Sequence, residues 1–219
     1  MGEKIATVLE RAILKPGDGP LTSECCSAAG KTKPRDRIVA TARDMFHQHG
    51  FRTVGVEAIA EAAGTNKMTL YRHFGSKDEL IVECLKSVAA ESEAQWRALE
   101  ARHAGNPRAH LAAWVRQAAD CVLADGRGCS LANAAVELTE ADHPARRLVE
   151  FCKSSYRDRM VGLCRSAGIA QAENLADALS LLLEGARVSR QSVGAEGPSA
   201  KFVRTAEAMI AAFGNEETL

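Results

Sequence analysis

The chain has 219 residues, 46% hydrophobic and 26% charged, a length and balance suited to a folded chain with a substantial core. Its 28 lysines and arginines equal its 28 aspartates and glutamates, so no chain-wide basic field argues for nucleic acid, and any such case rests on where the charges sit. Aromatics are only 5%, which favours close-packed helices over sheet, and no apolar run approaches the roughly 20 residues of a membrane span.

Residues 1–33 read as a flexible extension. Ile5, Val8, Leu9, Ala12 and Ile13 recur at helical spacing before a breaker that holds Pro16, Gly17, Gly19 and Pro20. The small, polar stretch from Cys25 to Lys33 follows as a linker. Acidic residues near the start and the lack of a small-residue cleavage site argue against a secretory segment. The expected compartment is therefore the cytoplasm, with the seven cysteines mostly reduced.

From Pro34 the pattern is helix with punctuation. Ile38, Ala42, Met45 and Phe46 line one face of a first helix that stops at Gly50. A short helix from about Val56 to Ala63 stops at Gly64, and another runs from about Lys67 to Phe74. Ser76 and Glu79 are spaced as a capping box, with Ser76 as N-cap and Glu79 reaching back, at the head of a long helix towards Ala104. Asn106-Pro107 and His143-Pro144 mark two more helix starts, while Gly126, Gly128 and Gly168 mark stops. Two apolar stripes close the chain: Leu175, Leu179, Leu182, Leu183 and Ala186, then Val203, Ala206, Met209, Ile210 and Phe213. Strand signals are almost absent, so the fold class is all-α.

The stretch from Ala60 to Leu70 carries the chemistry. A helix-turn-helix needs a small residue where its helices cross, a residue tolerant of positive φ at the turn, and an apolar plug in its second helix. Ala60, Gly64 and Leu70 meet these needs, with Ile59 and Ala63 facing the plug. Asn66 is placed to cap the second helix, whose free N–H groups and dipole suit a phosphate. Lys67, Met68 and Thr69 fall in its first turn, from which side chains reach base edges in a major groove. Tyr71, His73 and Lys77 offer hydroxyl, imidazole and ammonium donors to phosphate oxygens further along.

Other constellations point nowhere stronger. His47 and His49 flank one another instead of sharing a helical face, so they form no metal pair. No phosphate loop, nucleophile elbow or metal-ligand spacing occurs, and neither catalysis nor a cofactor is expected. Cys84, Cys121, Cys152 and Cys164 fall on apolar helix faces and read as core. Cys129, between two helices, is open to reading as a small buried hydrophobe, a pocket lining or an oxidant sensor. A helical protein-interaction module is the alternative class; it would keep the core without requiring Lys67, Tyr71 or Lys77.

Over residues 34–85 the chain resembles the TetR family of bacterial transcriptional regulators. The resemblance is carried by Ile38, Thr41-Ala42, Phe46, Gly50-Phe51, Ile59-Ala60, Ala63-Gly64, Thr69-Leu70-Tyr71, His73-Phe74, Ser76-Lys77 and Leu80. It implies a three-helix DNA-binding domain over 34–80 and a larger helical domain over 81–219 for effector binding and dimerisation. The chain departs from the family pattern with Val54 and Gly55 ahead of the second helix, where hydroxyl residues are common, leaving Thr53 and Gly55 as the DNA-facing positions there, and with Met68 where Gly or Ala is frequent. The implied function is a ligand-released repressor on a roughly palindromic double-stranded operator. By the same resemblance, Trp96, Trp114, Cys129, Phe151, Tyr156 and Met160 would line a partly apolar small-molecule pocket, with Asn133 and Glu137 as its polar groups. The two closing stripes would pair with those of a second copy as a four-helix bundle.

Overall fold

A computed structural model of the chain describes residues 33–214, so the extension with its expected short helix and its Cys25-Cys26 pair lies outside the described residues. Among them are α1 (Pro34–His49), α2 (Val56–Ala62), α3 (Lys67–Phe74), α4 (Lys77–Arg102), α5 (Pro107–Ala124), α6 (Ser130–Glu137), α7 (Pro144–Ser166), α8 (Ala172–Val193), a 3-10 turn (Pro198–Lys201) and α9 (Phe202–Gly214). No strand occurs among the described residues, and the all-α expectation holds.

The chain packs as two compact units. The first runs through Ala90, beyond the residue 80 at which the sequence divides the chain, and takes in Ala134–Leu148. The second holds Glu91–Asn133 and the chain from Val149 onward.

In the first unit, Ile38, Ala42 and Phe46 are buried at i, i+4, i+8 spacing on α1, which packs on α2 and α3. Gly50 ends α1 at φ 85°, and the chain turns so that Phe51 stacks on Phe46 with ring centroids 5.3 Å apart. Val54, one of the departures from the family pattern, is buried, which explains an apolar residue at that position. Gly55 caps α2 without any side-chain bond. Gly64 takes φ 62° between α2 and α3, and the Thr65 N–H donates to Ala60 O at 2.9 Å. Leu70 and Ile59 are fully buried across that joint, beside Ala60 and Ala63.

At the head of α4 the Glu79 N–H donates to Ser76 Oγ at 3.0 Å, so Ser76 caps as expected. The reverse arm of the box does not form, because the Ser76 N–H is taken by Phe74 O at 2.8 Å. A tight turn supplies the acceptor that Glu79 would have supplied.

The second unit is built on α8, which packs against α9 and α5. Leu175, Ala176 and Leu179 of α8 are fully buried with Met160, Cys164 and Phe202. Asn106 caps α5 through Oδ1, accepting from the Ala109 N–H at 3.1 Å, and Pro107 occupies the first helical turn. No helix among the described residues is long and apolar enough to cross a membrane.

Candidate nucleic-acid interface

The exposed side of α3 follows from how its other side is fixed. Leu70 and Phe74, four residues apart, are buried, so the opposite face must point outward. Asn66 Oδ1 accepts the Thr69 N–H at 2.8 Å, which fixes the helix start and leaves other first-turn N–H groups for an external acceptor. Met68 stands 78% exposed, an unusual setting for a large apolar side chain. Lys67 and His73 are exposed, while Thr69 and Tyr71 are half-buried. Thr53 and Gly55 are exposed just before α2. The structure thus gathers Lys67, Met68, Thr69, Tyr71 and His73 on one short helix.

The Lys67 ammonium is not a loose charge. It sits 2.5 Å from Glu57 Oε1 on α2 and 5.8 Å from the centre of the Tyr71 ring. The hydrogen bond to Glu57 raises the lysine's pKa, and the same bond lowers that of the carboxylate. Glu57 thereby holds the ammonium beside Tyr71. Sequence reasoning missed Glu57, which sits ten residues before Lys67 on a different helix and shares no helical spacing with it.

Lys77, expected to offer its ammonium to phosphate, is half-buried at the head of α4. Its ammonium lies 5.9 Å from the centre of the Phe46 ring and 3.5 Å from Arg52 O, and burial lowers its pKa.

Glu137, expected among pocket residues, stands in the first unit. Its Oε2 accepts the Phe51 N–H at 2.6 Å and the Arg52 N–H at 3.4 Å, and its backbone oxygen accepts from Arg52 Nε at 3.1 Å. Arg52 also pairs with Glu140. The end of α6 thereby ties down the turn between α1 and α2. A carboxylate so occupied is a brace for the turn between α1 and α2, not a pocket group.

The remaining pocket residues lie in the second unit, and much of the cluster is filled by its own packing. Trp114 Nε1 donates to Tyr156 Oη at 2.5 Å, the Trp96 and Tyr156 rings meet edge-on at 5.4 Å, and Met160 is fully buried. Burial raises the Tyr156 pKa, so its phenol stays neutral. Phe151 is half-buried on α7. Asn133 Nδ2 donates to Arg127 O at 2.9 Å, closing the loop before α6. Cys129 is half-buried with Lys153 Nζ 3.7 Å from its sulfur, and Lys153 also pairs with Glu184. Cys84 and Cys164 are buried as expected; Cys152 is half-buried, and Cys121 is exposed, contrary to a core reading.

Both closing stripes turn out to be split. Leu175, Leu179, Leu183, Ala186 and Ala206 belong to the core of the single chain, while Leu182, Val203, Met209, Ile210 and Phe213 are half-buried against it. The large apolar side chains that α8 leaves exposed are Leu181 (75%), Val188 (63%) and Val193 (62%), none of them named from the sequence. Periodicity marks an apolar face without saying which neighbour covers it.

Residues 38–84 match the family model described as bacterial regulatory proteins, tetR family. The chain is 40% identical over 76 residues to the HTH-type transcriptional regulator TcmR of Streptomyces glaucescens, over 34% of this chain and 32% of that one. It is 47% identical over 55 residues to the HTH-type transcriptional regulatory protein RaaS of Mycobacterium tuberculosis, over 25% of this chain and 26% of that one. The match thus spans about a third or less of the length of these curated relatives. Among solved structures, a TetR-family transcriptional regulator from Streptomyces coelicolor superposes with TM-score 0.78 at 26% identity, covering 83% of this chain and 96% of the other.

Proposed function

We propose that the chain is a transcriptional regulator of the TetR family, whose model it matches over residues 38–84, that it binds a roughly palindromic operator as a dimer, and that it is released by a small-molecule effector. The observation that carries the reading is the first turn of α3. Lys67 and Met68 are exposed there while Leu70, on the same helix, plugs the joint with α2. Such a turn is dimensioned for a major groove, where an α-helix fits and base edges are distinguishable. Lys67, Met68 and Thr69 read bases, and Tyr71, His73, Thr53, the Gly55 N–H and Lys77 serve phosphates.

One recognition helix offers too small a footprint for strong specificity, and a two-fold pair doubles it. The partner is a second copy of the chain. Leu181, Gly185 and Val188 of α8 follow one another at four and three residues, and a side chain at Gly185 would meet open space. They form the seam, with half-buried Met209, Ile210 and Phe213 of α9 contributing to it; the fully buried half of each stripe stays within the chain. The setting is cytoplasmic, and the regulator is a repressor.

An effector shifts operator binding only through its differential affinity for two conformations, and a tenfold loss of occupancy needs about 1.4 kcal/mol. The test of the DNA surface is a Lys67→Ala, Tyr71→Ala double variant, assayed on an operator selected from a random DNA pool. Normal folding with at least a tenfold loss of operator affinity is expected. Wild-type affinity in that variant would reject the surface.

A further inference from the structure

The second unit holds a cleft of about 420 Å³ at the end of α4 and the start of α5, walled on its other side by α7. That volume is within the range of small-molecule sites. Three rings line it. His110 lies 5.4 Å from Trp96 between ring centres and 6.5 Å from His103, nearly parallel to the latter at 15°. Gly162 forms part of the α7 wall, and a Cβ added there would meet nothing within 4 Å, so the missing side chain is what leaves the space open.

Two features narrow what such a cleft accepts. His110 is 95% buried by its 5% exposure, yet its Nε2 has no hydrogen-bond partner. A buried polar atom without a partner costs free energy that a ligand group can recover. Burial also lowers the His110 pKa, so the ring meets a ligand as neutral imidazole. The charges around it are balanced in number, two carboxylates against two guanidiniums: Glu93 pairs with both Arg97 and Arg159, the Arg159 guanidinium caps the Trp96 ring at 5.7 Å, and Glu100 is the second carboxylate of the lining. A strongly charged ligand would have to break that set. A flat, uncharged one would not.

We propose that this cleft is the effector site and that its ligand is a planar aromatic molecule carrying a hydroxyl: the ligand ring lies against Trp96 and His103, and a turn of the His110 imidazole brings Nε2, closed off in this structure, onto the hydroxyl. The hydroxyl both donates and accepts, so it satisfies either tautomer of the imidazole. This rests on the reading of the chain as effector-controlled, but its first test does not. Trp96 and Trp114 are the chain's two tryptophans, so a Trp114→Phe background leaves Trp96, in the cleft wall, as the sole fluorescent reporter.

The experiment titrates the full-length protein with 2,7-dihydroxynaphthalene and with its dimethyl ether, following Trp96 quenching and, in the wild type, calorimetry. Saturable binding of the dihydroxy probe is expected, weakened about five- to tenfold in His110→Phe, which keeps the ring and removes the nitrogens. The dimethyl ether should bind the wild type more weakly and be indifferent to His110→Phe. Gly162→Leu, which fills the space, should abolish binding of both. Equal affinity of the dihydroxy probe for wild type, His110→Phe and Gly162→Leu would place binding elsewhere and overturn the proposal, as would no saturation up to about 1 mM. Operator release is then measured separately: binding with the expected variant pattern but no effect on DNA leaves the site standing and sinks effector control.

Discussion

Replacing Gly50 with alanine is expected to act through a residue far along the chain. Gly50 has φ 85°, and a Cβ there would lie 2.9 Å from Glu137 Oε2, the oxygen that accepts the Phe51 N–H at 2.6 Å. The extended, positive-φ backbone at Gly50 (φ 85°, ψ 157°) is essentially a glycine conformation and costs alanine about 1–3 kcal/mol, and losing hydrogen bonds to a charged acceptor costs about 1.5–3 kcal/mol. Gly50→Ala should therefore destabilise by about 2.5–6 kcal/mol, with both terms acting together. Glu137→Ala removes only the second term. In the double variant the carboxylate is already gone, so its cost should stay near that of Gly50→Ala alone. The sum of the single variants should then exceed the double by about 1.5–3 kcal/mol. Urea denaturation followed by far-UV circular dichroism, on the four proteins of the cycle, measures this coupling. A coupling below about 0.5 kcal/mol is ordinary additivity and would show that the carboxylate does not hold the turn.

Three further outcomes follow from the same structure. If α3 carries the proposed DNA surface, Met68, 78% exposed there, meets a thymine methyl, and replacing one operator thymine with uracil should weaken the wild type about fourfold, on the scale of one buried methylene. Met68→Ala should show no such loss at any thymine, and a single-base uracil scan that affects both proteins alike would refute the contact. Cysteine alkylation read by mass spectrometry should find exposed Cys121 reactive in the native protein, whereas Cys84, buried and with its thiol pushed up to about 12, reacts only after unfolding; native labelling of Cys84 near pH 8 would contradict its burial. Burial lowers the His110 pKa, so the unfolded chain takes up that proton first as pH falls through about 6.5; stability is lost across the window down to the folded pKa and is constant below it. His110→Phe should remove that component from the pH dependence of the urea midpoint, and an unchanged profile between pH 7.5 and 5 would assign the loss to other groups.

The sequence by itself determined what is local. Gly64 at the turn, Asn66 as cap, Leu70 as plug and the bounds of α3 were all legible, because helical period, caps and positive-φ turns are settled within about ten residues. The family resemblance added the DNA-facing reading of that segment, again from residues close together in the chain. Ser76 shows where local rules stop: its cap forms, but its own N–H chooses Phe74 O over Glu79.

What tertiary structure decided is which apolar face finds which neighbour and which polar group finds which partner. Leu179 and Leu181 are two residues apart on one helix, yet the first is fully buried and the second 75% exposed, a difference set by where α5 and α9 pack. Glu137 braces a turn 86 residues earlier in the chain, and neither hydropathy nor spacing links it to Phe51. His110 reads as one more histidine at the head of α5 until its burial beside Trp96 leaves Nε2 without a partner. Hydrogen bonds and burial are properties of space, and two residues far apart in sequence carry no mark of meeting until the chain has brought them together.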